Sequence, residues 1–152
     1  MNEPNPEQET VLDSEQIKAL IPHRYPFLLV DRITKMTDDT CTGYKNVTIN
    51  DNFLQGHFPE KAVMPGVLII EGMAQTGAAF YNHKQGTRSD KLIFFAGINK
   101  AKFRKPVFPG DRLVYEVQIL QIRSVIMTFT GKAYVDGKLA CEAEMMASLV
   151  DK

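Results

Sequence analysis

A chain of 152 residues can bury one substantial core and is too short for a multidomain enzyme. With 44% hydrophobic and 24% charged residues it is neither a disordered tail nor a low-complexity fibre. Eighteen basic residues balance eighteen acidic ones, which argues against a general nucleic-acid binder. The longest uncharged stretches, residues 62–70 and 72–82, are too short or too polar to span a bilayer. Five acidic and no basic residues through position 16 fit neither a signal nor a transit peptide, so a cytoplasmic protein is expected. Cys41 and Cys141 lack CxxC spacing, and two buried, reduced thiols are expected rather than a disulfide or a zinc site.

In chain order, residues 1–12 are expected to be a flexible N-terminus and residues 13–152 a single domain. Asp13, with Gln16 three positions on, predicts a capping box and a short helix that presents Ile17, Leu20 and Ile21 and stops at Pro22. Residues 27–36 predict a strand, paired across Asp38-Asp39 with a second over residues 41–48. Residues 64–82 predict a long helix, with Pro65 at its first position and Val67, Ile70, Ala74, Ala78 and Tyr81 at helical spacing. Leu68, Ile69, Met73 and Phe80 make it apolar nearly all round, which marks a buried helix. From Leu92 onward the chain reads as strand: Tyr115, Val117 and Ile119 alternate with polar residues, as do Cys141, Ala143, Met145, Ala147 and Leu149. Pro109-Gly110 and Asp136-Gly137 mark turns. The predicted class is α+β, one long helix wrapped by a curved antiparallel sheet.

Three chemical parts lie within sixteen residues. A helix starting at Pro65 leaves N–H groups without intrahelical partners, and Gly66 offers the first of them, with no side chain to keep a substrate oxygen away and the helix dipole behind it. Glu71, six residues beyond Pro65 among Val67, Leu68, Ala74 and Gln75, is costly to ionise and so suited to hold a proton as a general acid. His57, in the loop Gly56-His57-Phe58-Pro59, is a natural base near neutral pH. Each has a plainer alternative: Pro-Gly that merely starts a helix, a carboxylate that reaches solvent, a structural histidine. His23 and His83 are assigned no chemistry. The signatures of serine hydrolases, P-loop enzymes, dinucleotide-binding folds and HxxxH metal pairs are absent from the sequence. Between His83 and Arg112, eight basic residues (Lys84, Arg88, Lys91, Lys100, Lys102, Arg104, Lys105, Arg112) face only Asp90 and Asp111, which would steer an acidic partner here unless acids elsewhere balance them.

The run from Ile21 to Asp31 (IPHRYPFLLVD), Gln55-Gly-His-Phe-Pro59, Val63-Met-Pro-Gly-Val67, Glu71, Met73-Ala-Gln75, Lys102-Phe-Arg104 and Pro109-Gly-Asp111 together closely resemble the FabZ type of (3R)-hydroxyacyl-[acyl-carrier-protein] dehydratase over residues 14–150. Ala62 stands where this family usually has proline, and Gly72 where it usually has alanine. The resemblance implies the hot-dog fold and the conversion of a (3R)-hydroxyacyl chain, carried as a thioester on acyl carrier protein, to the trans-2-enoyl form in fatty acid biosynthesis. It implies His57 and Glu71 as the catalytic pair, contributed by different chains of a homodimer that assembles further into a trimer of dimers. It places Gly66, Phe58, Val67 and Phe94 against the substrate, with Phe80, Ile93 and Phe95 as further determinants of chain length. Lys102, Arg104 and Lys105 become candidates for docking the acidic carrier protein. No metal or organic cofactor is implied. The competing classes are a hot-dog thioesterase, an isomerising dehydratase with aspartate at the position of Glu71, and a non-catalytic acyl-binding module.

Overall fold

Asp13 caps the first helix as predicted. In the computed structural model, which describes residues 11–86 and 91–151, α1 spans Ser14–Leu20. The Asp13 carboxylate accepts from Gln16 N–H at 2.9 Å, and Gln16 Oε1 accepts from Asp13 N–H at 2.8 Å, so two helix-end donors are satisfied reciprocally. The expected flexible N-terminus lies, up to residue 10, outside the described residues, as do Arg88 and Asp90 of the basic stretch.

The first hairpin joins β1 (Arg32–Met36) to β2 (Thr40–Asn46). The strand expected from residue 27 begins only at Arg32. The backbone of residues 27 and 29 is engaged elsewhere: the Phe27 carbonyl and the Leu29 N–H are bonded to the Gln75 side chain, and the Leu29 carbonyl to the Tyr115 hydroxyl. At the other end β2 stops at Asn46, because Val47 exchanges hydrogen bonds with Gly110 and Asp111 instead of extending the hairpin.

The long helix, α2 (Gly66–Gln85), begins one residue after Pro65, the expected first position, and runs three residues past 82, with Gly86 as its C-cap. Four long strands follow: β3 (Lys91–Phe103), β4 (Arg112–Arg123), β5 (Ile126–Val135) and β6 (Lys138–Asp151). Pro109-Gly110 makes the turn into β4, with Gly110 at φ 96° and Asp111 N–H bonded to Phe108 O at 3.1 Å. Asp136 and Gly137, both at positive φ, close the β5–β6 hairpin. All pairings are antiparallel, in the order β1-β2-β4-β5-β6-β3. Alternate residues of β4, β5 and β6, among them Tyr115, Val117, Phe129 and Met145, point inward and surround α2. This is the hot-dog fold: a buried helix in a curved sheet. Among the described residues no helix is long and apolar enough to cross a membrane.

Both cysteines are free and buried. Burial pushes the Cys41 thiol up to about 12, and burial with Glu142 nearby pushes Cys141 up to about 11, so both remain inert thiols near neutral pH.

Among the glycines of α2, Gly72 leaves the least room for a side chain against the sheet. A Cβ there would stand 2.2 Å from the Tyr115 hydroxyl and 2.5 Å from its ring carbon. Alanine is the better helix former by about 1 kcal/mol, yet overpacking of this kind costs about 1–3 kcal/mol. We therefore expect Gly72→Ala to lower the melting temperature in the native background and to be neutral or stabilising once Tyr115 is Leu. Thermal denaturation of the two single variants and the double variant measures this coupling.

Candidate active site

Gly66 is the first residue of α2 and Pro65 its N-cap, with φ −56° and ψ 129°. Proline was expected inside the first turn. It sits one position earlier because residues 63 and 64 are still bonded to neighbouring backbone, Val63 N–H to His57 O and Met64 N–H to Val107 O, both at 2.8 Å. The Pro65 carbonyl then accepts from Leu68 N–H at 3.0 Å. As the first helical residue, Gly66 presents an N–H with no intrahelical acceptor. The Phe103 ring packs against Gly66 so closely that a Cβ would meet it at 2.5 Å, so this contact requires glycine.

His57 follows a 3-10 turn (Asn52–Leu54) in a braced loop. Buried Lys45 holds Asp51 at 3.0 Å, and the other Asp51 oxygen accepts from Thr48 N–H at 2.9 Å. The His57 Nδ1 is 2.7 Å from the Val63 carbonyl. A carbonyl only accepts, so Nδ1 carries the hydrogen and Nε2 of the neutral ring is left with a lone pair, the form a base requires. The Phe58 ring stacks on it at 4.0 Å. His57, Gly66, Val67 and Ile69 line a cavity of about 460 Å³, to which Arg104 and Lys105 also contribute.

Glu71 lines a different, narrow cleft with Ala74, Ala78, Ile93, Phe95 and Ala147. Its volume of about 20 Å³ is room for roughly one water molecule. Burial raises the Glu71 pKa above the usual carboxylate range, and the hydrogen bond from Gln75 Nε2 at 3.1 Å opposes that rise only in part. His23 also stands beside it, its Nε2 3.6 Å from Glu71 Oε1 and its Nδ1 buried without a hydrogen-bond partner among the described residues. Burial lowers the His23 pKa, and neighbouring Arg24 lowers it further. Both groups are thus pushed toward their neutral forms, and at 3.6 Å they do not make a direct hydrogen bond. His57 and Glu71 line separate cavities within one chain.

The remaining site candidates divide. Val67 lines the His57 cavity. Phe58 is 54% exposed and borders a shallow groove beside the loop. Phe94 lines neither cavity and is also 54% exposed, whereas its neighbours Ile93 and Phe95, on the other face of β3, line the Glu71 cleft. Phe80 is fully buried in the core and also lines neither. Lys102 pairs in register with Glu142, to which Arg104 extends at 3.3 Å, and Lys100 reaches Glu144 at 3.6 Å. Arg112 leaves the basic group and lies over the Tyr44 ring at 4.2 Å. Acids of β6 thus neutralise part of the charge concentrated in the sequence.

Sequence patterning assigned nothing to His23 and did not single out Gln75 or Tyr115. The bonds of Gln75 to residues 27 and 29 and of Tyr115 to Leu29 span 46 or more positions, and periodicity carries no such signal; the Gln75–Glu71 bond is a local one, four positions apart. His83, also assigned no chemistry, is exposed at the end of α2.

Since Glu71 has a raised pKa in the folded state, its contribution is fully favourable below the unfolded value near 4.5 and is lost as pH rises through the folded value. We expect Glu71→Gln to leave the melting temperature unchanged below about pH 4, to raise it progressively as pH climbs above the unfolded value, and to hold that gain constant once pH has passed the folded value. A series of thermal melts against pH reads this directly; an equal shift at every pH would contradict it.

The chain matches the FabA-like domain family over residues 21–144. It is 52% identical over 143 residues to the 3-hydroxyacyl-[acyl-carrier-protein] dehydratase FabZ of Bacillus licheniformis, covering 93% of this chain and 99% of that protein. It is 48% identical over 146 residues to the protein of the same name from Wolinella succinogenes, covering 92% and 97%. Among solved structures it resembles a chain of the dehydratase heterocomplex ApeI:P from Xenorhabdus doucetiae, with a TM-score of 0.78, 17% identity, and coverage of 90% and 91%. At that identity the likeness is one of fold.

Proposed function

The chain belongs to the FabA-like domain family, and from that premise we infer that it is a hydro-lyase of fatty acid biosynthesis that dehydrates 3-hydroxyacyl-[acyl-carrier-protein]. The observation that carries the reading within the site is Glu71: a carboxyl held toward its protonated form beside a cleft with room for about one water. A dehydratase needs both, a proton for the departing hydroxyl and a place for the water so formed.

In the reaction we propose, the substrate is the (3R) epimer and its thioester carbonyl accepts from the Gly66 N–H, where the α2 dipole favours the negative charge that develops on oxygen. His57 Nε2 takes the proton from C2. The electron pair left behind forms the C2–C3 double bond as the C3–O bond breaks, and Glu71 gives its proton to the departing oxygen, so that water and a trans-2-enoyl thioester result. The imidazolium and carboxylate left in the site recover their starting forms by a net proton transfer from His57 to Glu71.

Because His57 and Glu71 line separate cavities, we take the working site to combine His57 of one chain with Glu71 of a second in a homodimer, assembled further as a trimer of dimers. Exposed Phe94, Ile98 and Phe103 on β3 and Val67 on α2 supply the apolar surface such an interface buries. The carrier protein docks, in this reading, on Lys102, Arg104 and Lys105, two of which border the cavity of His57 and Gly66.

The test is to incubate the protein with a (3R)-hydroxyacyl carrier-protein thioester while following enoyl absorbance and free thiol together. Absorbance without thiol, with the double bond retained at C2, supports dehydration. Thiol release would indicate a thioesterase, a shifted double bond an isomerising enzyme, and neither signal an acyl-binding module.

A further inference from the structure

From β4, Tyr115 reaches across the core to the segment over residues 27–29, which Gln75 links to Glu71. Tyr115 is completely buried, and its hydroxyl donates to the Leu29 carbonyl at 2.9 Å. The N–H of that same residue donates to Gln75 Oε1 at 2.8 Å. Gln75, also buried, turns its amide nitrogen outward with one bond to the Phe27 carbonyl at 2.7 Å and one to Glu71 Oε1 at 3.1 Å. Leu29 is therefore gripped at both backbone polar atoms, by Tyr115 on one side and Gln75 on the other. Gln75 has both of its N–H donors committed.

The room for this arrangement comes from Gly72, whose missing Cβ would fall 2.2 Å from the Tyr115 oxygen. Gly72 is also where the chain departs from the alanine usual in the family it resembles. An apolar residue at 115 would fill the core without the cost of burying a hydroxyl, so the retained oxygen points to its hydrogen bond as the reason for the pair.

We propose that Tyr115 is a positioning residue for Glu71, acting through Leu29 and Gln75, and that Gly72 is the space its hydroxyl requires. The proposal rests on the reading of Glu71 as the general acid. Without the Tyr115 bond the segment over residues 27–29 is free to drift, Gln75 follows it, and Glu71 loses the donor that fixes its carboxyl plane.

The test uses Tyr115→Phe and Tyr115→Met, which keep apolar volume and remove the hydroxyl, in the full-length protein. With assembly and far-UV circular dichroism unchanged, we expect kcat to fall about three- to tenfold, the size of one lost hydrogen bond, with KM within about twofold. The Glu71 carboxyl carbon, followed by NMR, should titrate at higher pH than in the native protein, since a bond to its charged form has weakened. In a Gln75→Leu background the same Tyr115 change should cost less than about twofold, because the link it acts through is already gone. Unchanged kcat and Glu71 titration, or losses that multiply in full with those of Gln75→Leu, would overturn the proposal, as would loss of the fold in both Tyr115 variants. Glu71→Ala separates the two readings. If it retains activity, the general-acid role fails, while the Glu71 titration shift still reports on Tyr115.

Discussion

In the roles proposed for them, His57→Ala and Glu71→Ala are each expected to lower kcat by about 10²–10⁴-fold, the usual worth of a general base or acid, with the assembly still folded. Neither side chain is needed for packing. His57 stands in a loop whose brace is the Lys45–Asp51 pair, and Glu71 is a buried carboxyl that costs stability once ionised. If two chains share each site, mixing the dead variants under subunit exchange restores activity. A mixed dimer has one site with neither residue and one with both. Random exchange of equal amounts makes half the dimers mixed, so about a quarter of the sites recover. Steady-state rates before and after exchange, with mixing followed independently by mass spectrometry of labelled chains, give the answer. No recovery after proven exchange refutes the shared site.

We expect that neutralising Lys102 and Arg104 and reversing the charge of Lys105 raises KM for carrier-protein substrates by about tenfold or more and leaves a short pantetheine thioester nearly unaffected. Lys102 and Arg104 are neutralised rather than reversed because Glu142 pairs in register with Lys102 and lies 3.3 Å from the Arg104 guanidinium, and Arg104 first, with Lys102 adding to it, holds that carboxyl below its ordinary pKa. A glutamate there would add a repulsion unrelated to docking. Exposed charges steer an acidic partner but do not touch the reacting carbons, so kcat should hold. Salt should reproduce the effect on the native protein, since at 0.1–0.15 M ionic strength screening acts over about 8–10 Å. Equal losses on both substrates would place these residues in the fold or the site instead.

Patterns that complete themselves within a few residues were legible in the chain. The Asp13–Gln16 box spans one helical turn, the apolar surround of α2 repeats every three or four residues, and inward and outward residues alternate along β4 and β6. Local hydrogen bonds and side-chain direction decide these, and both are set by nearest neighbours. The same locality put Gly66 at a helix start, Glu71 in apolar company, and the turns at Pro109-Gly110 and Asp136-Gly137.

Tertiary structure decided the rest, because it alone determines which distant polar groups meet. Residues 27–30 have the composition of a strand, yet two of them bond to a helix side chain and a tyrosine from another strand, and β1 starts later. Pro65 moved to the cap because its predecessors bond to the residue 57 and residue 107 backbone. His23 comes to face Glu71 across 48 positions of chain, an approach that packing alone brings about. Phe94 and Phe95, alike in composition, were parted by the pleat, one to the surface and one to the cleft. A buried polar atom takes whatever partner the packed chain brings within reach, and that choice has no period along the sequence.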